Sequence, residues 1–195
     1  MKKICALVVL VIAMVFMLEG IAFAMEYSAD VVSTSGKTIF TGKMWFSNDR
    51  MRLELVPSDN NNKNVPTITT ITRLDKLVVW VLMVKDHKYL EQNFAGLMPV
   101  GDATGDVQKQ LLGSETIDGR TADKFRVIGT YKGKTYTTYQ WLDADSGIPL
   151  KFTDEKGQYI QEYKNIVQGP QDGGLFEIPA GYQKFSLPLG NLFGL

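Results

Sequence analysis

The chain has 195 residues, and its 21 Lys+Arg balance 21 Asp+Glu, so the formal net charge is zero. A nucleic-acid binder would show a basic excess, and a disordered chain would fall well short of the 45% hydrophobic residues present. One domain of this length buries enough surface for a core without disulfides; two would be cramped.

Met1-Lys2-Lys3 is a short positive start, and Ile4 to Leu18 is an uncharged apolar run. Ala22-Phe23-Ala24 then supplies the small–x–small pattern after which a signal peptidase cuts. The run is shorter than the ~20 residues of a permanent membrane helix. The expectation is a cleaved secretory signal over 1–24 and a single domain over 25–195, delivered to the periplasm with no transmembrane span left. Cys5 is the one cysteine and leaves with the leader. From Met25 onward there is then no disulfide, thiol nucleophile or thiolate metal site.

From Tyr27 to about Gly169 the chain consists mostly of short runs rich in Thr, Val, Ile, Tyr and Phe, separated by turn residues, which predicts antiparallel β-structure. The predicted strands are 26–33, 37–47, 50–56, 67–73, 76–84, 87–91, 113–117, 120–130, 134–142, 148–153 and 159–168. Asn48-Asp49, Asp118-Gly119 and Lys132-Gly133 suit the two-residue turns of tight hairpins. Pairing Ser47 with Arg50 sets Phe46 against Met51 and Met44 against Leu53, with Phe40 and Leu55 on the same side. Lys43, Trp45, Arg52 and Glu54 take the other side, so the hairpin has one greasy and one charged face. Leu77 to Val84 is apolar on both faces and predicts a strand covered on each side. Ser58 to Asn64 reads as a polar exposed loop. Val107, Leu111 and Leu112 stand at helical spacing and predict a short helix over 104–112. After Leu175-Phe176-Glu177-Ile178-Pro179 comes an apolar tail, 183–195, containing Phe185, Leu187, Leu189, Leu192, Phe193 and Leu195.

The search for chemistry yields no catalytic set. His87, the one histidine, stands beside Asp86 without a Gly-x-Ser-x-Gly elbow, and reads as a turn residue. Asp143-x-Asp145-x-Gly147 resembles a fragment of a calcium loop, but it lacks the third oxygen position and the closing Glu, so it reads as a turn. Arg50, Arg52, Arg73 and Lys76 sit among Glu54 and Asp75, and read as a mixed solvated face. No metal and no cofactor are expected. Met and aromatic residues are plentiful; they can line a lipid pocket or fill an ordinary core.

Four segments in this order carry a resemblance: Arg73 to Leu82, Gly113 to Phe125, Trp141 to Lys151, and Tyr163 to Ile166 followed by Leu175 to Tyr182. The succession resembles the exported proteins of the outer-membrane lipoprotein-sorting (LolA/LolB-like) superfamily, most of all a branch of unknown function. The resemblance implies a curved, incompletely closed antiparallel half-barrel with short helical segments on its concave side. The residues themselves supply about eleven strands for it. It also implies a concave face that takes acyl chains. The expected function is therefore a non-enzymatic envelope protein holding a lipid or an acylated lipoprotein. The expected hydrophobic cavity is lined by Phe40, Met44, Phe46, Met51, Leu53 and Leu55. The alternative is an interaction or sensor module whose apolar tail contacts an envelope protein partner.

Overall fold

The computed structural model describes residues 25–58, 67–93, 107–131 and 134–185. The expected leader, most of the polar loop, the Lys132-Gly133 turn and the tail beyond Phe185 lie outside the described residues. No described helix is long and apolar enough to cross a membrane.

Twelve strands form one sheet. They are β1 (Glu26–Ser35), β2 (Thr38–Ser47), β3 (Arg50–Pro57), β4 (Ile68–Arg73), β5 (Val78–Met83) and β6 (Lys88–Asn93), followed by β7 (Gln108–Ile117), β8 (Arg120–Tyr131), β9 (Lys134–Asp143), β10 (Pro149–Asp154), β11 (Tyr159–Gln168) and β12 (Gln183–Lys184). The spatial order is β12-β6-β5-β4-β3-β2-β1-β11-β10-β9-β8-β7. Two antiparallel meanders thus join where β1 pairs with β11, and β12 adds to β6 in parallel. The edges β12 and β7 do not pair, so the sheet stays open.

The two faces differ. On β1, Tyr27, Ala29, Val31 and Ser33 are buried while the residues between them are half-buried. Across β2 and β3 the same face carries Met44 and Leu55, at 1% and 0% exposure. The opposite face of these strands shows Ile39, Lys43 and Val56 to water. A flat single layer would wet both faces, and a twisted sheet of this many strands curls. We therefore call the buried side the inner, concave face.

The helix expected over 104–112 is overturned across 108–112, because Gln108–Ile117 is a strand; residues 104–106 lie outside the described residues. Val107 and Leu111 are four apart, a spacing that puts two residues on one side of a helix and of a strand alike. Leu112 disturbs the alternation because the register with β8 shifts between Leu111 and Gly113, leaving it as the extra residue of a bulge. Among the described residues the helical turns are short 3-10 segments at Leu74–Lys76, Val84–Asp86 and Gly173–Phe176. The last lies against the outer face, not the concave side where the resemblance put helical segments.

Candidate functional site

The register predicted for the β2–β3 hairpin is the one observed: Ser47 faces Arg50, Phe46 faces Met51 and Met44 faces Leu53. Asn48, at φ 56, supplies the left-handed turn position that such a hairpin needs. Directly opposite residues share a face, so Phe40, Met44, Phe46, Met51, Leu53 and Leu55 all stand on the inner side. Five are buried and Phe46 is half-buried against them. They form one cluster with Tyr27, Ala29, Val31, Ile68, Ile148 and Tyr163.

Gly42 keeps β2 and β3 close within this face. A Cβ there would lie 1.8 Å from the Glu54 carbonyl oxygen, so no other residue fits without moving backbone.

Beside the apolar patch the inner face turns polar. Ser33 Oγ donates to the Tyr159 hydroxyl at 3.3 Å, and that hydroxyl donates to Gln161 Oε1. Gln161 Nε2 in turn donates to the Tyr163 hydroxyl at 2.5 Å. Burial pushes the Tyr163 phenol well above its ordinary value, although the Gln161 hydrogen bond opposes the shift. Burial does the same for Tyr27, with Tyr163 adding to it. These phenols stay neutral and serve as hydrogen-bonding groups, not as bases. Farther along, Phe152 opposes Gln140, which opposes Phe125. On the other limb Thr70 opposes Leu53 and Thr72 opposes Met51, which places both threonines on the inner face.

Over β3–β6 the outer face is covered by the chain's own C-terminal segment. Phe176 is fully buried against Ile71, Trp80 and Leu82, with Leu175, Ile178 and Tyr182 around it. Asp172 caps the turn, accepting from the Gly174 amide at 3.0 Å. Arg52 donates to the Leu175 carbonyl at 3.1 Å and Arg73 to the Phe176 carbonyl at 3.2 Å. Arg73 also holds Asp75, at 2.8 and 2.6 Å, and Glu177. The Arg50 guanidinium lies 5.1 Å from the centre of the Phe176 ring. The arginines that read as a solvated face are therefore a clasp, and the Arg73 side chain is only 7% exposed. The spacing of Arg50, Arg52 and Arg73 carries no sign of this, because their partners lie about a hundred residues away.

The remaining chemistry-bearing groups have local tasks. His87 is exposed in a turn, with its ring 5.5 Å from that of Tyr182. Asp143 Oδ1 accepts from the Ser146 amide and hydroxyl, each at 2.8 Å, and Oδ2 meets Arg120 at 3.2 Å. Burial would raise its pKa, yet the Ser146 and Arg120 contacts prevail and hold the carboxyl below the usual range. Among the described residues no group of His, Cys, Asp or Glu could hold a metal ion.

No family model matches the sequence, and no curated protein matches it. Solved structures do. An uncharacterised conserved protein from Thermus thermophilus aligns over 84% of this chain and 91% of that one, with a TM-score of 0.58 at 14% identity. The two share a fold. Two further matches are looser. The complex structure of Pseudomonas aeruginosa MucA/MucB aligns over 84% of this chain at TM-score 0.49 and 19% identity. There the chain spans only 59% of its counterpart. A LolA superfamily protein from Nitrosomonas europaea aligns over 78% of this chain and 89% of that one, at TM-score 0.34 and 11% identity.

Proposed function

We propose that this is a non-enzymatic protein of the bacterial envelope that holds a lipid or the acyl chains of a lipoprotein on the concave face of its sheet. The observation that carries the reading is the inner face itself. All six residues expected to line the cavity converge there, on neighbouring strands, in one apolar cluster. Burying an acyl chain gains about 0.8 kcal/mol per methylene, so a chain of a dozen carbons offsets the cost of parting the side chains that close the face. The Met side chains at 44 and 51 are unbranched and repack around irregular hydrocarbon more readily than branched ones. The leader-like start of the sequence supports export to the periplasm. The resemblance of its four segments to the lipoprotein-sorting proteins supports the choice of ligand class.

Native mass spectrometry of protein purified gently from the envelope, followed by organic extraction, tests this. A mass excess that disappears on extraction and yields an acyl-containing molecule is the expected result. Protein that carries its sequence mass alone, and takes up no added lipid, contradicts it.

A second reading has its own support. The ten-residue β7 is a sheet edge whose Leu111 and Leu112 are about half exposed, a surface fit to meet another envelope protein. The sequence-based candidate for contact with such a partner is the apolar tail, 183–195.

A further inference from the structure

Two hydroxyls at the apolar patch have no partner among the described residues. Thr70 and Thr72 are 2% and 3% exposed, and neither Oγ1 meets a hydrogen-bonding group of those residues. Both stand on the inner face, opposite Leu53 and Met51, and about 7 Å apart along one strand. A buried hydroxyl without a partner is costly, and a face meant only for packing would carry valine, which has nearly the same shape. The neighbouring strand shows as much, since Val81 and Val79 stand directly opposite these threonines. Toward the other limb the inner hydroxyls of Ser33, Tyr159 and Tyr163 are joined through Gln161, although Gln140 Nε2 there also lacks a partner among the described residues.

We infer that Thr70 and Thr72 form a polar subsite for the ligand of the inner face, and that this ligand carries an acyl carbonyl and is not a bare hydrocarbon. The inference rests on the acyl-binding reading above and narrows it. One or other threonine hydroxyl donates to the carbonyl oxygen of an ester or amide, while the alkyl chain lies over Met51, Leu53 and Met44. The subsite fixes the depth and direction in which the chain enters, because only one end of an acyl ester can accept these protons.

Two fluorescent probes of equal chain length separate the claims: the methyl ester of 12-(1-pyrenyl)dodecanoic acid, and 1-dodecylpyrene, which lacks the carbonyl. Each is titrated into the full chain and into T70V/T72V. The expected result is ester binding about tenfold tighter than hydrocarbon binding, the equivalent of one good hydrogen bond. The double variant loses that preference, keeps its affinity for the hydrocarbon, and melts at a higher temperature than the parent. T70S/T72S, which restores the hydroxyls, recovers the preference, and the single variants T70V and T72V serve if the double variant does not fold. If both probes bind and the variant keeps the same ester preference, or neither protein shows one, the subsite is overturned while the acyl-binding face stands. If neither probe binds the parent, the acyl-binding reading itself fails and the subsite fails with it.

Discussion

Arg73 of β4 donates to the carbonyl oxygen of Phe176, 103 residues later, at 3.2 Å. That bond ties the C-terminal segment across the outer face of β3–β6, and the pair Arg73–Glu177 reinforces it. That part of the outer face is thereby covered by the chain's own C-terminal segment, whereas the larger apolar cluster stands on the inner face.

Replacing Arg73 with Met leaves Asp75 and Glu177 without their buried counter-charge and frees the Phe176 carbonyl. Breaking a fully buried pair costs several kcal/mol, but Glu177 is 53% exposed, so the smaller figure applies. The expected loss is about 2 kcal/mol, or roughly 6 °C in Tm for a domain of this size. Hydrogen exchange should quicken over Gly173–Tyr182 more than over β1 and β11. Unchanged exchange there would deny the clasp its role.

The same clasp has a pH signature. Burial raises the Glu177 pKa but Arg73 more than compensates, so it ends below its ordinary 4.5. The hydrogen bond to Arg73 is the largest influence on Asp75 and takes it below 3.8. Carboxyls depressed in the folded state stabilise it above their unfolded pKa, and that stability fades as pH falls through the folded values. Denaturation midpoints should therefore hold steady from pH 7 to about 5 and decline below about 4. The decline should be shallower in R73M.

Gly42→Ala places a methyl where the Glu54 carbonyl stands. The β2–β3 pairing must spread, at an expected cost of about 3 kcal/mol, beyond the range of ordinary surface changes. Urea denaturation measures it, and a cost under about 1 kcal/mol would mean that the strands separate easily here.

Leu53 and Phe46 should separate packing from binding. Leu53 is closed off, so Leu53→Ala should cost about 3 kcal/mol of stability through the cavity it leaves. Phe46 is half-buried at the rim of the patch. Phe46→Ala should cost less stability, about 1–2 kcal/mol, and weaken acyl-probe affinity about tenfold. Equal effects on stability and none on affinity would make the whole patch ordinary core.

The hairpin turn and the alternation of β2 and β3 were legible because Asn48-Asp49 fixes a register and a one-residue slip would invert both faces. The inner-face position of all six expected residues follows from that one turn. Thr70 and Thr72 were not legible, because a run such as Ile68-Thr69-Thr70-Ile71-Thr72-Arg73 has no single apolar side and only pairing assigns one. The 104–112 segment misled because a bulge at Leu112 mimics helical spacing. Phe176 read as part of an apolar run, but nothing local says that it will cross to the outer face beneath three arginines.

On the proposed reading, hydrocarbon enters against the inner side of β2 and β3. A fatty-acyl ester bearing a diazirine near its chain end, irradiated with the protein and mapped by mass spectrometry, reads this position directly. Adducts are expected on peptides carrying Met44, Phe46, Met51 and Leu53. Adducts confined to the outer-face residues Trp80, Leu82 and Phe176, or none above the level of denatured protein, would contradict it.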